Sequence, residues 1–425
     1  MSRTICLLAV MGCLILPTAG AQTQSITLDD AIVRAIETLP SMVQARGAIE
    51  NAHATKLQTT GSWLPSVSAS AGNSINSSTR WDERTQTTIS GSSSSYSTGF
   101  SANMTLFDGF ARLADNRVAD ADLLSADASL VNTRFLTILD VKRAFFNALS
   151  AEELVRISDT RIQRAQEQLN ISIEKLNAGT ATRSDTLRSH VEVANAELQR
   201  LQAEMQLSSA EADLARLVGL DGAVSAASDD ELLLIADVDT TSLRAEALGR
   251  SPLIQQTDAA EQSAAAQHSA TTSLYLPRAS ASASKSWSAN EWLDLNPSWS
   301  ARLSFSWTLF NGFSRELSRT RSAMALESAR AQAEDSRRQV NADLTVYLAS
   351  LAAARSMLEI AAASRAASEE DLRVQRERYR LGAATIVDVL ASQVNLDQSE
   401  VDIVQARFDY LVAKAQIEAL VGREL

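Results

Sequence analysis

From Tyr96 onward the chain alternates with a period of two. Tyr96, Thr98, Phe100, Ala102, Met104 and Leu106 fall on one side, and Ser95, Ser97, Gly99, Ser101, Asn103 and Thr105 on the other. The alternation returns at Trp299, Leu303, Phe305, Trp307 and Leu309, set against Ser300, Arg302, Ser304, Ser306 and Thr308. Ahead of each run lies a partner segment interleaved with serines, through Val67, Ala69 and Ala71 in one case and Ala279, Ala281 and Ala283 in the other. Period two describes strands with one apolar and one polar face. Small polar residues suit a water-filled lumen, and aromatics towards the ends of the apolar face suit a bilayer interface. About ten residues at ~3.3 Å each, tilted, cross an apolar band of ~25 Å. A soluble sheet with one wet face carries the same pattern, and the helical context weighs against it.

That context has a period of seven. Leu124, Val131, Ile138 and Phe145 recur at this spacing, as do Ile162, Leu169 and Leu176, and in the second half Leu344, Leu351 and Leu358. About 66 residues at 1.5 Å rise make a rod of ~100 Å, and a helical pattern beyond ~25 residues indicates a coiled coil. The 17 steps from Phe145 to Ile162 are two heptads plus three, a stammer that overwinds the coil locally. Alanine fills much of the remaining surface, which permits close approach on more than one side. Two shorter helices, about 33 and 35 residues, together match one long helix and can line it end to end.

The chain contains two copies of one unit. Leu106-Phe107-Asp108-Gly109-Phe110 recurs as Leu309-Phe310-Asn311-Gly312-Phe313, Gly179 and Asp185 as Gly382 and Asp388, and Leu217-Val218-Gly219 as Leu420-Val421-Gly422, all 203 residues on. Leu64-Pro65 recurs as Leu276-Pro277, and Pro40 as Pro252, 212 residues on. Nine extra residues therefore lie between Pro65 and Leu106, and an exposed loop is expected near 74–94. The expected order is a first repeat at 22–220, with a strand pair at 66–107, a long helix at 111–176 and a return helix at 183–219. A linker at 221–242, acidic near Asp229 to Asp239, precedes a second repeat at 243–425 with the matching parts at 279–310, 314–381 and 385–422. Each repeat opens with a helix, about Leu28 to Gly61 and Leu243 to Ser273, and Pro65 and Pro277 mark the helix–strand junctions.

Residues 1–21 have the marks of a cleaved signal peptide: Arg3, an apolar run from Ile5 to Leu16, Pro17, and Ala19-Gly20-Ala21. Lipidation at Cys13 is the alternative. Cys6 and Cys13 are the only cysteines, so a cleaved chain has no disulfide. His53, His190 and His268 lack metal-ligand spacing, and no cofactor is expected. A net charge of −12 argues against nucleic acid as a partner. No later segment reads as a transmembrane helix, so a membrane role falls to the strands. No G-x-S-x-G, P-loop or metal cluster points to an enzyme.

Four strands with two open edges cannot sit in lipid, because each unpaired backbone group there costs several kcal/mol. Closure needs about eight strands, hence at least two chains. The fold class expected is mainly α with a membrane β part: long antiparallel coiled-coil helices plus four amphipathic strands, joined between protomers into an α-helical barrel and a shared transmembrane β-barrel. A polar bore continued by a helical tube is a conduit.

The paired L-F-[DN]-G-F segments, the duplication and the string Tyr379-Arg380-Leu381-Gly382-Ala383-Ala384-Thr385-Ile386-Val387-Asp388-Val389-Leu390 resemble the TolC-type outer membrane efflux family over nearly the whole chain. The resemblance implies a homotrimer with a twelve-stranded barrel in the outer-membrane lipid of a Gram-negative cell and a helical barrel in the periplasm. It also implies two partners, a periplasmic adaptor protein and an inner-membrane pump or ABC exporter. It implies a periplasmic gate at the hairpin tips, with Asp388 at the constriction, Asp185 and Tyr379 at latch positions, and Gly179 and Gly382 in turns that meet the adaptor. Ala391 stands where a second acidic ring is implied, and Ala384 where a latch arginine is. Read from the residues alone, Gly179 and Gly382 suit left-handed turns, and Asp185 and Asp388 suit helix starts. A periplasmic coiled-coil adaptor, or a structural protein without a pore, is the rival reading.

Overall fold

The computed structural model describes residues 24–84, 86–227, 242–291 and 296–425. The expected signal peptide, Cys6, Cys13 and the stretch from Asp229 to Asp239 lie outside the described residues. Eight α-helices and six strands order the rest: β1 (Gln24–Ile26), α1 (Leu28–Thr38), α2 (Pro40–Gly61), β2 (Ser66–Asp82), β3 (Thr87–Phe107), α3 (Ala111–Asn177), α4 (Arg183–Val218), β4 (Val224–Ala226), α5 (Leu243–Arg250), α6 (Pro252–Ala270), β5 (Arg278–Ala289), β6 (Asn296–Ser306), α7 (Ser314–Arg380) and α8 (Ile386–Val421). They form two compact units, each built from both repeats. Among the described residues, a strand unit takes 40–136, 242–349 and 416–425, and a hairpin unit takes 24–39, 137–227 and 350–415.

In the strand unit the sheet runs β2-β3-β5-β6, antiparallel throughout. Register places Val67, Ala102, Ala283 and Ala301 in one row and Ser68, Ser101, Ser284 and Ser300 in the next. One face is thus apolar, and nothing among the described residues covers it: Leu303 is 74% exposed and Phe305 71%. On the other face hydroxyls meet in cross-strand pairs, Ser68 with Ser101 at 2.7 Å and Ser284 with Ser300 at 3.0 Å. The first hairpin corrects one expectation. Rather than opening into a loop near 74–94, β2 and β3 stay paired out to Asp82 and Thr87. The stretch is rich in serine and threonine, and only four positions, 83–86, separate the two strands in sequence.

Each strand gives way to a long helix through the L-F-[DN]-G-F motif. Gly109 and Phe110 both adopt left-handed conformations (φ 70° and 64°), as do Gly312 and Phe313 (φ 65° and 65°). Arginines three residues past these glycines fasten the joints. Arg112 pairs with buried Asp108 at 2.7 Å and lies over the Trp63 ring at 4.4 Å. Arg315 donates to the Thr308 and Leu309 carbonyls at 3.0 Å and lies over Tyr275 at 4.9 Å. On the entering side, Pro65 directly precedes β2 and Pro277 directly precedes β5.

The helix that opens each repeat is split in two. Pro40 and Pro252 begin the second pieces, and the residues before them, Leu39 and Ser251, are extended (ψ 134° and 128°), as a following proline requires. Within the strand unit α6 is held to α3 by Gln256, which accepts from Asn132 at 2.7 Å. It is held to α7 by Asp258, which takes Arg337 at 2.8 Å.

Small residues every seven positions let the long helices approach closely. Ser189, Ala196, Ala203 and Ala210 line the buried side of α4, and Ala333, Val340, Ala354 and Ala361 that of α7. In the first half of α3 the heptad residues Leu124 and Val131 stay largely exposed, whereas Phe145 is fully buried. Contrary to the expectation for later segments, α7 contains an 18-residue window apolar enough to cross a membrane, with mean hydropathy 1.3. Its apolar character comes largely from alanine, within a helix of 67 residues. The hairpin unit also holds a small parallel pairing of β1 with β4 that periodicity did not reveal, since three residues carry no period.

The hairpin tips as candidate functional site

The tips lie within the hairpin unit, where α3 turns into α4 and α7 into α8. Gly179 and Gly382 take left-handed conformations (φ 72° and 78°), which L side chains adopt only with strain. The two aspartates then start the return helices by the same device. Asp185 Oδ2 accepts from the Thr182 backbone N–H at 2.9 Å while the Thr182 hydroxyl accepts from Asp185 N–H, a capping box. Asp388 Oδ2 accepts from the Thr385 N–H at 2.8 Å and the Thr385 hydroxyl at 2.7 Å. These bonds from Thr385, with Arg378 adding to them, hold the exposed Asp388 carboxyl below its ordinary 3.8.

Tyr379 does not join the aspartates. It is 4% exposed and packs in a cluster with Leu372, Ile386, Val389 and Leu396. Its hydroxyl is buried with no hydrogen-bond partner among the described residues. A bond from Tyr379 to Asp185 is therefore not made in this protomer. Ala384 packs against the same cluster, and Ala391 is exposed on α8.

Two features escaped the sequence reading. Lys175, in the last turn of α3, reaches the carbonyls of Tyr379 and Arg380 at the end of α7. Further along the hairpins a buried charge layer joins α3, α4 and α8. Arg164 meets Asp397 at 2.8 Å and Glu400 at 2.6 Å, and Arg161 meets Glu192 at 2.9 Å. Arg161 Nε also stands 2.9 Å from Asp397 Oδ2, at an angle that makes an ion pair without a hydrogen bond. Burial pushes the Asp397 carboxyl up, against the pull of Arg161 and Arg164. Arg376 of α7 lies beside them with Nε and Nη2 buried and unbonded, and burial lowers its pKa. The signal was present in Arg161/Arg164 and Asp397/Glu400, paired three apart on helices whose neighbouring rows are apolar, but it points to no partner until the helices are placed.

Among the described residues no group of His, Cys, Asp or Glu is placed to hold a metal ion. The tips thus bring together carboxylates, left-handed turns and a cation.

Comparison with known proteins agrees with this architecture. The chain is 23% identical over 420 residues to the outer membrane efflux protein BepC of Brucella suis biovar 1, covering 95% of this chain and 87% of that one. It is 25% identical over 367 residues to the alkaline protease secretion protein AprF of Pseudomonas aeruginosa, covering 82% and 75%. The fold matches the crystal structure of the outer membrane protein VceC from Vibrio cholerae with a TM-score of 0.76 at 18% identity, over 93% of this chain and 96% of that one. The model of the family described as outer membrane efflux protein matches residues 31–220 and 243–423, one stretch in each repeat. With the exposed apolar sheet, the paired hairpins and this match in hand, the chain belongs to the outer membrane efflux protein family, whose members are exit channels of the outer membrane rather than enzymes.

Proposed function

We propose that three copies of this chain form one exit duct. In this reading the open edges β2 and β6 pair between protomers into a twelve-stranded barrel, and the helices continue as a barrel through the periplasm. The observation that carries the proposal is the four-stranded sheet whose apolar face is uncovered and whose two edges are unpaired among the described residues. Lipid tolerates neither edge. A second observation supports it. Beyond its buried side, α4 has an exposed apolar row at Leu187, Val191, Leu198, Leu201 and Met205, and α7 has one at Met357, Ile360 and Val374. Spacings of three, four and seven are those of a coiled-coil seam awaiting another helix.

The duct works with a periplasmic adaptor and an inner-membrane pump or ABC exporter. The cargo follows from that transporter: drugs and other small molecules in one case, secreted protein in the other; among the relatives, BepC is named for efflux and AprF for secretion of an alkaline protease. Gly179 and Gly382 sit in turns where an added Cβ would meet nothing within 4 Å, so these turns are open to an adaptor. Asp388 forms the constriction. Three copies at a narrow point concentrate negative charge, which favours cations. Asp185 and Tyr379 belong to the same gate through helix-start and packing roles.

Native mass spectrometry of the detergent-solubilised protein should give a trimer, and planar-bilayer recording should give a cation-preferring pore. Asp388→Ala should reduce that preference and weaken block by divalent cations. A stable monomer with full β content would defeat the closure argument.

A further inference from the structure

The geometry points to Lys175 as the residue that latches the two hairpins of a protomer to each other, a role that rests on the tip gate proposed above. Its ammonium leaves the last turn of α3 and donates to the backbone carbonyls of Tyr379 and, at 3.3 Å, Arg380. It also stands 4.5 Å from the centroid of the Tyr379 ring. The last carbonyls of a helix find no partner inside that helix and carry the negative end of its dipole. The Tyr379 carbonyl takes one bond from the Gly382 N–H at 3.1 Å, and Lys175 uses its remaining capacity. A cation delivered by α3 thus caps the end of α7.

The duplication supplies an internal control. The residue 203 positions beyond Lys175 is Arg378, and it turns back on its own hairpin. Its Nη2 donates to the Ala383 carbonyl and its Nη1 to Gln375, both at 3.4 Å. The counterpart of Tyr379 in the first repeat is Leu176, which has no π face for a cation. One repeat therefore sends its basic residue across, and the other supplies the ring and the carbonyls that receive it. The contact is a departure from the shared plan of the two hairpins, so hairpin construction alone does not account for it.

Tyr379 fits the receiving role. Its ring is fixed by the surrounding cluster and its hydroxyl bonds nothing, so its face is what it offers. Drawing the end of α3 away from the end of α7 breaks both carbonyl bonds and the ring contact together. It also leaves the α7 carbonyls without their cation. The closed arrangement of the tips is held at this point.

The test uses the purified full-length oligomer in planar bilayers. Lys175→Met keeps the stem and removes the charge. It should raise the open-to-closed ratio about tenfold, the factor expected for losing a modest charge-assisted hydrogen bond. Lys175→Arg, which restores a cation, should rescue most of the closure. If Lys175→Met fails to assemble, Tyr379→Leu removes the ring alone and should still raise the ratio, by a smaller factor. Tyr379→Phe opening the channel as far as Lys175→Met would overturn the proposal in favour of a hydroxyl latch. Unchanged gating in Lys175→Met, with Asp388→Ala still shifting cation selectivity, would overturn the latch and leave the tip constriction standing. Unchanged gating together with unchanged selectivity in Asp388→Ala would overturn both.

Discussion

Arg164 grips Glu400 with both ends of its guanidinium, Nη2 to Oε2 at 2.6 Å and Nη1 to Oε1 at 2.9 Å, and in doing so ties the first repeat to the second. The bond lies between side chains only 12% exposed, and Asp397, 6% exposed, shares the same guanidinium. A charge pair in such a place is costly to break from one side, because the survivor stays buried and uncompensated. Asp397→Ala should destabilise the protein by roughly 3 kcal/mol, read as a lower denaturant midpoint of the assembled protein. Replacing the acid and Arg164 together should cost less than the two single changes added. Additive losses would mean that the layer is not a coupled unit.

The two copies of the L-F-[DN]-G-F motif should respond differently to one substitution. Alanine at Gly109 or Gly312 meets the same left-handed backbone, a strain of about 1 kcal/mol. At Gly109 the new Cβ would also lie 2.6 Å from Leu276 Cβ and 2.9 Å from the Ser273 carbonyl, whereas at Gly312 nothing lies within 4 Å. Gly109→Ala should therefore lower the unfolding temperature of the assembled protein clearly more than Gly312→Ala. Equal effects would show that backbone strain alone limits the joint.

The turn at 83–86 is the place for an insertion in the first hairpin. An epitope tag after Arg84 should be detectable on intact cells with export retained. The same tag at Gly91 interrupts a ladder in which Gly91 faces Ser78, and should reduce the amount of assembled protein. A tag after Arg84 that antibodies reach only once the outer membrane is breached would invert the topology.

Acid should loosen the second tip only at low pH. Asp388 has a folded pKa below its ordinary 3.8, so its cap contributes fully above that value and is lost as pH falls through the lower folded pKa. Hydrogen exchange at 386–392 should stay slow down to about pH 4 and rise below it. Asp388→Asn should remove the pH dependence. An onset near pH 6 would assign the transition to another group.

Periodic and duplicated features were legible in the sequence. The alternation through Phe100 and Met104 marks a strand because side-chain direction repeats every two residues, and that signal is local. The matching glycines Gly179 and Gly382 pointed to turns because backbone conformation is also a local demand. Contacts between distant side chains were not legible. Lys175 read as an ordinary basic residue in a last helical turn, since only the placed helices bring the end of α7 beside it. Asp185 is the reverse case. Its part in starting a helix was legible from its place just after the Gly179 turn, and the structure shows it in a capping box with Thr182.

In the duct proposed above, the serine rows of the sheet would face the bore and set how it treats whatever passes through it. Ser68 with Ser101, Ser284 with Ser300 and Ser286 with Ser298 spend their hydroxyls on one another. Each pair uses one donor and one acceptor and leaves the other O–H and the remaining lone pairs free, so the rows would meet a passing solute with small, uncharged groups that water satisfies equally well. Transit along them should be a slide with shallow binding at any point. A duct of this kind would gain breadth of cargo from the indifference of its lining, and would leave discrimination to its narrow end.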